Sequence, residues 1–243
     1  MPLITRKSDV QALVQKLEIT WLEKGDSAFV GELHEQVLKK KVRFPLLEYF
    51  TREILSSIPE KKQLALTDKI IPLDEIGSYV VTGIILQHRL EKYFSGSLRK
   101  AQEYIIRGDK WYVCDIIGER VMGHALLTSP GKTLPVLRKM ASHKNTWIVR
   151  CIGVAAHYAI KKGLEKKHVE EIFLLLLSLS DSTDFHIKKG IGWAAKTTAK
   201  FYPDIIGRHQ KKLDHDPEIK QWFKTKIKIG LGRSSKYASR YPG

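Results

Sequence analysis

Carboxylates are scarce in this chain: 26 Asp and Glu face 42 Lys and Arg in 243 residues, a formal net charge of +16. The deficit points to a polyanionic partner, nucleic acid first and an anionic membrane second. It is also uneven. From Asp184 to Gly243 there are 14 Lys or Arg and 5 Asp or Glu, so nine of the sixteen net charges fall in the last quarter. Cysteine is nearly absent. Cys114 and Cys151 each sit inside an apolar helical pattern, which excludes a disulfide framework and a zinc site and makes a reducing cytosol the expected setting. Long apolar runs are missing too. Ile172 to Leu177 is the longest, far short of a bilayer span, and the N-terminus has no apolar signal core. The chain therefore reads as soluble, with no membrane partner. No GxGxxG, Walker loop, HExxH or GxSxG occurs, and His209, Asp214, His215 and Asp216 lack ligand spacing. Neither a cofactor nor a metal is expected.

Helical periodicity fills the space that these absences leave. It predicts helices over 8–22, 28–40, 46–55, 63–69, 74–94, 98–106, 111–127, 133–141, 145–162, 166–179, 184–201, 203–212 and 217–229, with no convincing strand. Breaks fall at Lys24-Gly25-Asp26, Pro59, Pro72 and Arg107-Gly108-Asp109. The fold class is all-α. Asp115, Arg150 and Lys189 are 35 and 39 residues apart, each near the start of the longer helix of a pair. A two-helix unit of that length has the size of a HEAT-like repeat, and such repeats stack into a solenoid with an extended concave face, here a basic one. One domain over 1–229 is expected, followed by a basic, flexible tail over 230–243.

Three places could carry chemistry. Trp111 and Asp115 are four residues apart, so they share a helix face one turn from each other. Asp115 has only apolar neighbours, Val113, Cys114, Ile116 and Ile117, and a carboxylate in such company needs a partner. A capping or salt-bridging role is the plainer alternative. Arg150 is the lone permanent charge between Thr146 and Ile160; it needs an anion, a protein carboxylate or a phosphate. Lys189, Trp193 and Lys196 form one stripe, with Gly190 and Gly192 beside them. Close helix packing or the approach of an outside backbone would explain those glycines, and Trp193 on its own reads as a core anchor.

Taken together, three patches resemble the AlkD-type DNA alkylation repair family of HEAT-like-repeat DNA glycosylases. They are Trp111-Tyr-Val-Cys-Asp115, Asn145-Thr-Trp-Ile-Val-Arg150 continuing to Lys161-Lys162-Gly163, and Phe185-His-Ile-Lys-Lys-Gly-Ile-Gly-Trp193. A weaker match lies at Val42-Arg-Phe-Pro45-Leu-Leu, and order and spacing agree over roughly residues 30 to 230. The resemblance implies that Asp115 is the catalytic carboxylate and that Trp111 and Trp193 hold the lesion's deoxyribose. It implies DNA contacts by Arg150, Lys189 and Lys196. The chain departs from the family where Phe29 is the only aromatic in the segment that usually carries a Tyr, where Lys41 replaces a usual Gly, and where Glu48 replaces a common basic residue.

The implied activity is a monofunctional glycosylase acting on duplex DNA as a monomer, releasing 3-methyladenine and 7-methylguanine without base flipping, in a cytoplasm where DNA binding keeps it with the nucleoid. A cationic alkylpurine leaves without a general acid, so the barrier lies in the oxocarbenium-like sugar. A carboxylate stabilises that charge and orients water, and indole faces favour a developing cation. Two other readings stand beside it: a non-catalytic binder of DNA structures from the same family, and a helical-repeat scaffold for an acidic protein.

Overall fold

The computed structural model describes residues 4–240, and among the described residues the structure is helical with no strand. The chain divides into two compact units, Met1–Tyr104 and Ile105–Gly243.

In the first unit, α1 (Lys7–Leu33) is broken at Gly25, whose φ of 75° lies in the left-handed region that glycine tolerates. The sequence break at Lys24–Asp26 is therefore a kink between two stacked stretches. Then follow α2 (Phe44–Leu55), opened by Pro45, and α3 (Glu60–Ile70), between Pro59 and Pro72. After α4 (Ile76–His88), α5 (Phe94–Gly108) carries the chain across the boundary. Leu17, Phe29, Phe50, Leu66 and Ile84 form the centre of this unit. Each such side chain contributes on the order of 1.5–3 kcal/mol by leaving water. The amphipathic helix expected over 74–94 is shorter and buried all round from Gly77 to Leu86. At its end Arg89 donates to the Glu60 carbonyl at 2.7 Å.

The second unit opens with α6 (Trp111–Ile117), which continues through a π-helical stretch, Gly118–Gly123, into α7 (His124–Thr128). Next come α8 (Pro130–Met140), α9 (Thr146–Lys161), α10 (Lys166–Leu177) and α11 (Phe185–Phe201). The helix expected over 203–212 is split at His209 into α12 (Pro203–Arg208) and α13 (Gln210–His215). There the imidazole is drawn to Glu170, 2.8 Å away. The chain closes with α14 (Gln221–Leu231) and α15 (Ser234–Tyr237).

Side-chain caps start the two central helices. Asn145 accepts from the Trp147 and Ile148 amides, and Asp184 from those of His186 and Ile187. α6, α9 and α11 then run parallel, side by side. Asp115 meets Arg150, Arg150 meets His186, and His157 meets Thr197 in one progression along the chain. Close approach is enforced by glycine. A Cβ on Gly153 would stand 2.2 Å from the Gly190 carbonyl, and one on Gly190 would stand 2.6 Å from the Arg150 carbonyl oxygen. Of the two reasons weighed for Gly190, helix packing is the one observed.

Within the segment expected to be a flexible tail, Ser234–Tyr237 is a helix and Ala238–Arg240 a 3-10 turn. Tyr237 lies 5.8 Å from the Phe201 ring, and the Lys200 ammonium sits 3.4 Å above the centre of the Tyr237 ring. Residues 241–243 of that expectation lie outside the described residues.

Candidate functional site

Asp115, in the second turn of α6, is gripped by Arg150 from α9. Arg150 Nε donates to Oδ1 at 3.0 Å and Nη2 to Oδ2 at 2.9 Å, while Nη1 donates to the His186 carbonyl at 3.2 Å. The two side chains are 8% and 18% exposed in that order, so the acid retains the more open side. Of the plainer alternatives for Asp115, capping is excluded: Lys110 holds the N-cap position of α6, and Asp115 lies beyond it. The ion pair is formed. For Arg150, too, the carboxylate partner is the one observed. A bidentate pair this buried fixes orientation, and removing one partner leaves a stranded charge at a cost of about 3–5 kcal/mol.

The pair stands on a second layer of polar support that local sequence did not reveal. Trp147 is buried against the His186 ring, 4.4 Å between centres, and its Nε1 donates to Asp109 Oδ1 at 2.6 Å. Asp109 takes a positive φ of 44°, which turns the chain just before α6. Thr146 donates to the capping Asp184 at 2.9 Å. These bonds lock the starts of α6, α9 and α11 together, and Asp115, Arg150 and His186 all sit within the first two turns of those helices. Cys114 and Cys151, neighbours of the charged pair in sequence, are buried. The Cys114 thiol donates to the Trp147 carbonyl at 3.3 Å, and burial, with the Cys151 thiol beside it, pushes its pKa well up. They are small core residues, as expected.

Trp111 projects into solvent one turn before Asp115. It is 57% exposed, unusual for an indole, and touches Tyr112 edge-on at 5.8 Å. Trp193 is half-buried and finds its ring partner in His157, two turns along α9 from Arg150; the rings stack at 3.8 Å and 23°. The structure thus joins Asp115 to Arg150 and keeps Trp111 on their helix face, whereas Trp193 rests on a different side chain. Lys189 is exposed above the Phe185 ring at 5.1 Å, and Lys196 is half-buried.

His157 was passed over in the sequence, where it is one polar residue in an apolar helix. Its Nδ1 proton follows from counting hydrogens. Thr197 Oγ1 donates its single proton to the Trp193 carbonyl at 2.9 Å, so at its 2.7 Å contact with His157 it must accept. Nδ1 therefore carries a proton, and neutrality of the ring rests on its lowered pKa. Burial, with Lys161, Lys196 and Lys200 nearby, lowers its pKa to about 3.

Among the described residues, no group of three or more His, Cys, Asp or Glu is placed to hold a metal ion, and no helix is long and apolar enough to cross a membrane. What the site offers chemically is one oriented carboxylate and an open indole on the same helix face. A family model described as DNA alkylation repair enzyme matches residues 41–224. Neither a curated protein nor a solved structure matches the chain.

Proposed function

The chain belongs to the DNA alkylation repair enzyme family, and from that premise we propose that it is a monofunctional DNA glycosylase. Its substrates are cationic N3- and N7-alkylpurines, 3-methyladenine and 7-methylguanine among them, in duplex DNA. On this reading the parallel inner helices belong to a HEAT-like solenoid whose basic concave face takes up the duplex, and a single copy works on the nucleoid in the cytoplasm. The observation that carries the proposal is the two-pronged hold of Arg150 on Asp115, one helical turn from the exposed ring of Trp111.

The chemistry needs little else. The alkylated base carries its positive charge already, so it departs with the bonding pair and needs no proton. Positive charge then builds on the deoxyribose. Asp115, fixed before the substrate arrives, stabilises that charge and orients the attacking water. Trp111 and Trp193 contact the sugar and add the pull of an indole face on a nascent cation. Arg150, Lys189 and Lys196 meet phosphates, which supply most of the binding, so the lesion need not be flipped into a pocket. The test is release of methylated purine from alkylated duplex by the purified protein, next to the same measurement on Asp115→Asn. Absence of release by the intact protein sinks the proposal.

A second reading has an observation of its own. An acid held through both oxygens by a neighbouring helix is also what a purely structural ion pair looks like. A non-catalytic family member that binds unusual DNA structures would keep the basic surface and show this pair. Gel-shift of undamaged DNA without turnover on methylated DNA would favour it.

A further inference from the structure

The cations of the second unit fall into two populations. On its outer helices they are paired: Arg208 with Glu170 and Asp204, Lys166 with Asp204, and Arg138 with Glu171. Among the described residues, none on α11, α14 or α15 forms an ion pair with an acid. The sequence has no acid from Phe185 to Pro203 and none from Ile219 to Gly243. Packing draws these acid-free helices together. A Cβ on Gly192 would stand 2.9 Å from Lys226 Cγ, and one on Gly230 would stand 2.4 Å from the Lys196 carbonyl oxygen. Lys226 therefore lies across α11 one turn before Lys196, with the α14 backbone pressed against Lys196 itself. The Lys200–Tyr237–Phe201 stack pins α15, which follows Arg233 directly.

The charges that act on Lys196 are those of Arg233, Lys226 and Lys200, all cations; after burial, they lower its ammonium pKa. A fold that gathers like charges this way loses stability until an anion arrives. The stripe Trp193, Lys196, Lys200 continues along α11 by one and two turns from the indole assigned above to the deoxyribose.

We propose that Lys196, Lys200, Lys226 and Arg233 form a phosphate-binding cluster that grips the sugar–phosphate backbone of duplex DNA. Lys226 and Arg233 lie beyond residue 224, where the family match ends, so this part of the grip belongs to the chain's own C-terminal helices. The inference rests on the DNA-binding part of the reading above and needs no catalysis. Its test therefore uses undamaged duplex, so that failure of base release and failure of the cluster are told apart.

The slope of log binding constant against log salt is measured for the wild-type protein, for Lys226→Gln/Arg233→Gln, and for the control Lys224→Gln/Lys228→Gln, which removes the same charge elsewhere on α14. Each phosphate contact contributes about 0.9 to the slope, so the first variant loses about 1.8 and the control much less. Because the substitution relieves repulsion, its melting temperature stays level or rises. An unchanged slope, or an equal loss in the control, overturns the cluster. No duplex binding by the wild-type protein overturns both the cluster and the function proposed above.

Discussion

Asp115→Asn separates a catalytic acid from a structural one, provided the two costs are sized separately. Asparagine keeps one acceptor and turns an amide donor toward Arg150, so one of two charge-assisted bonds is lost and the other weakened. The guanidinium stays buried with a poor partner, at a stability cost of about 3 kcal/mol. A domain of this kind starts with on the order of 5–15 kcal/mol. Even at the low end, roughly 95% of the variant is folded at 25 °C, since each 1.4 kcal/mol is about tenfold in the folding equilibrium. Loss of an oriented charge beside a developing cation costs far more in rate, about 10²–10³-fold. Unfolding thus accounts for about a twentieth of the activity, and removal of the carboxylate for nearly all of it. The assay is single-turnover release of 7-methylguanine at saturating enzyme, with urea denaturation and a gel-shift on the same preparation. If the variant retains more than about a third of the wild-type rate, Asp115 is a structural residue and the mechanism fails.

Three further outcomes follow from the same geometry. Gly153→Ala puts a Cβ 2.2 Å from the Gly190 backbone and must part α9 from α11, so the urea midpoint should fall by the equivalent of about 3 kcal/mol; a loss under about 1 kcal/mol would mean that the helices can slide. Trp111→Ala should change stability by less than about 0.5 kcal/mol, because the ring is mostly in water, yet it should slow base release; a cost above about 2 kcal/mol would place the indole in the core instead. His157 has a folded pKa of about 3 against an ordinary value near 6.5, so the stability it contributes is complete above the unfolded pKa and is lost as pH falls from there toward 3. Between pH 6 and 4 the wild type should lose up to about 1.4 kcal/mol per pH unit more than His157→Gln in parallel urea titrations, and equal slopes would refute the buried neutral imidazole.

What the sequence made legible was whatever repeats locally. Helix periodicity placed nearly every element, and Gly25 and the prolines marked the breaks. Its misreadings share one feature. The expected helix over 74–94 is longer than the one observed, and the Arg89 that follows its end has its side-chain partner at Glu60, 29 residues away. The helix expected over 203–212 is broken at His209, whose ring partner, Glu170, lies 39 residues away. At the candidate site, the loneliness of Asp115 and of Arg150 was visible separately, as one acid and one base each lacking a neighbour. That each answers the other depends on the register of α6 against α9, which is set where Gly118 admits Cys151 and Val154. His157 beneath Trp193 had no local mark at all; only the parallel placement of α9 and α11 puts the rings together.

If the chain is the glycosylase proposed above, the pairing of Asp115 with Arg150 also resolves a conflict between binding and catalysis. A duplex presents a dense row of phosphates, and a bare carboxylate on the surface that receives them would repel the duplex. Neutralised by Arg150 on one side, the acid costs little while the polyanion docks. On the proposed mechanism the carboxylate is already aligned when charge builds on the sugar, because Arg150 is itself braced by the His186 carbonyl. Retention of the pair in the DNA complex follows from this, and Arg150 then has only its remaining N–H groups to offer a phosphate. Arg150→Lys keeps the positive charge but cannot hold both oxygens. It should therefore bind undamaged duplex with little loss and release methylated purine at least about tenfold more slowly. Equal losses in binding and release would show that Arg150 serves the phosphates alone, and that Asp115 is held by something other than its orientation in this pair.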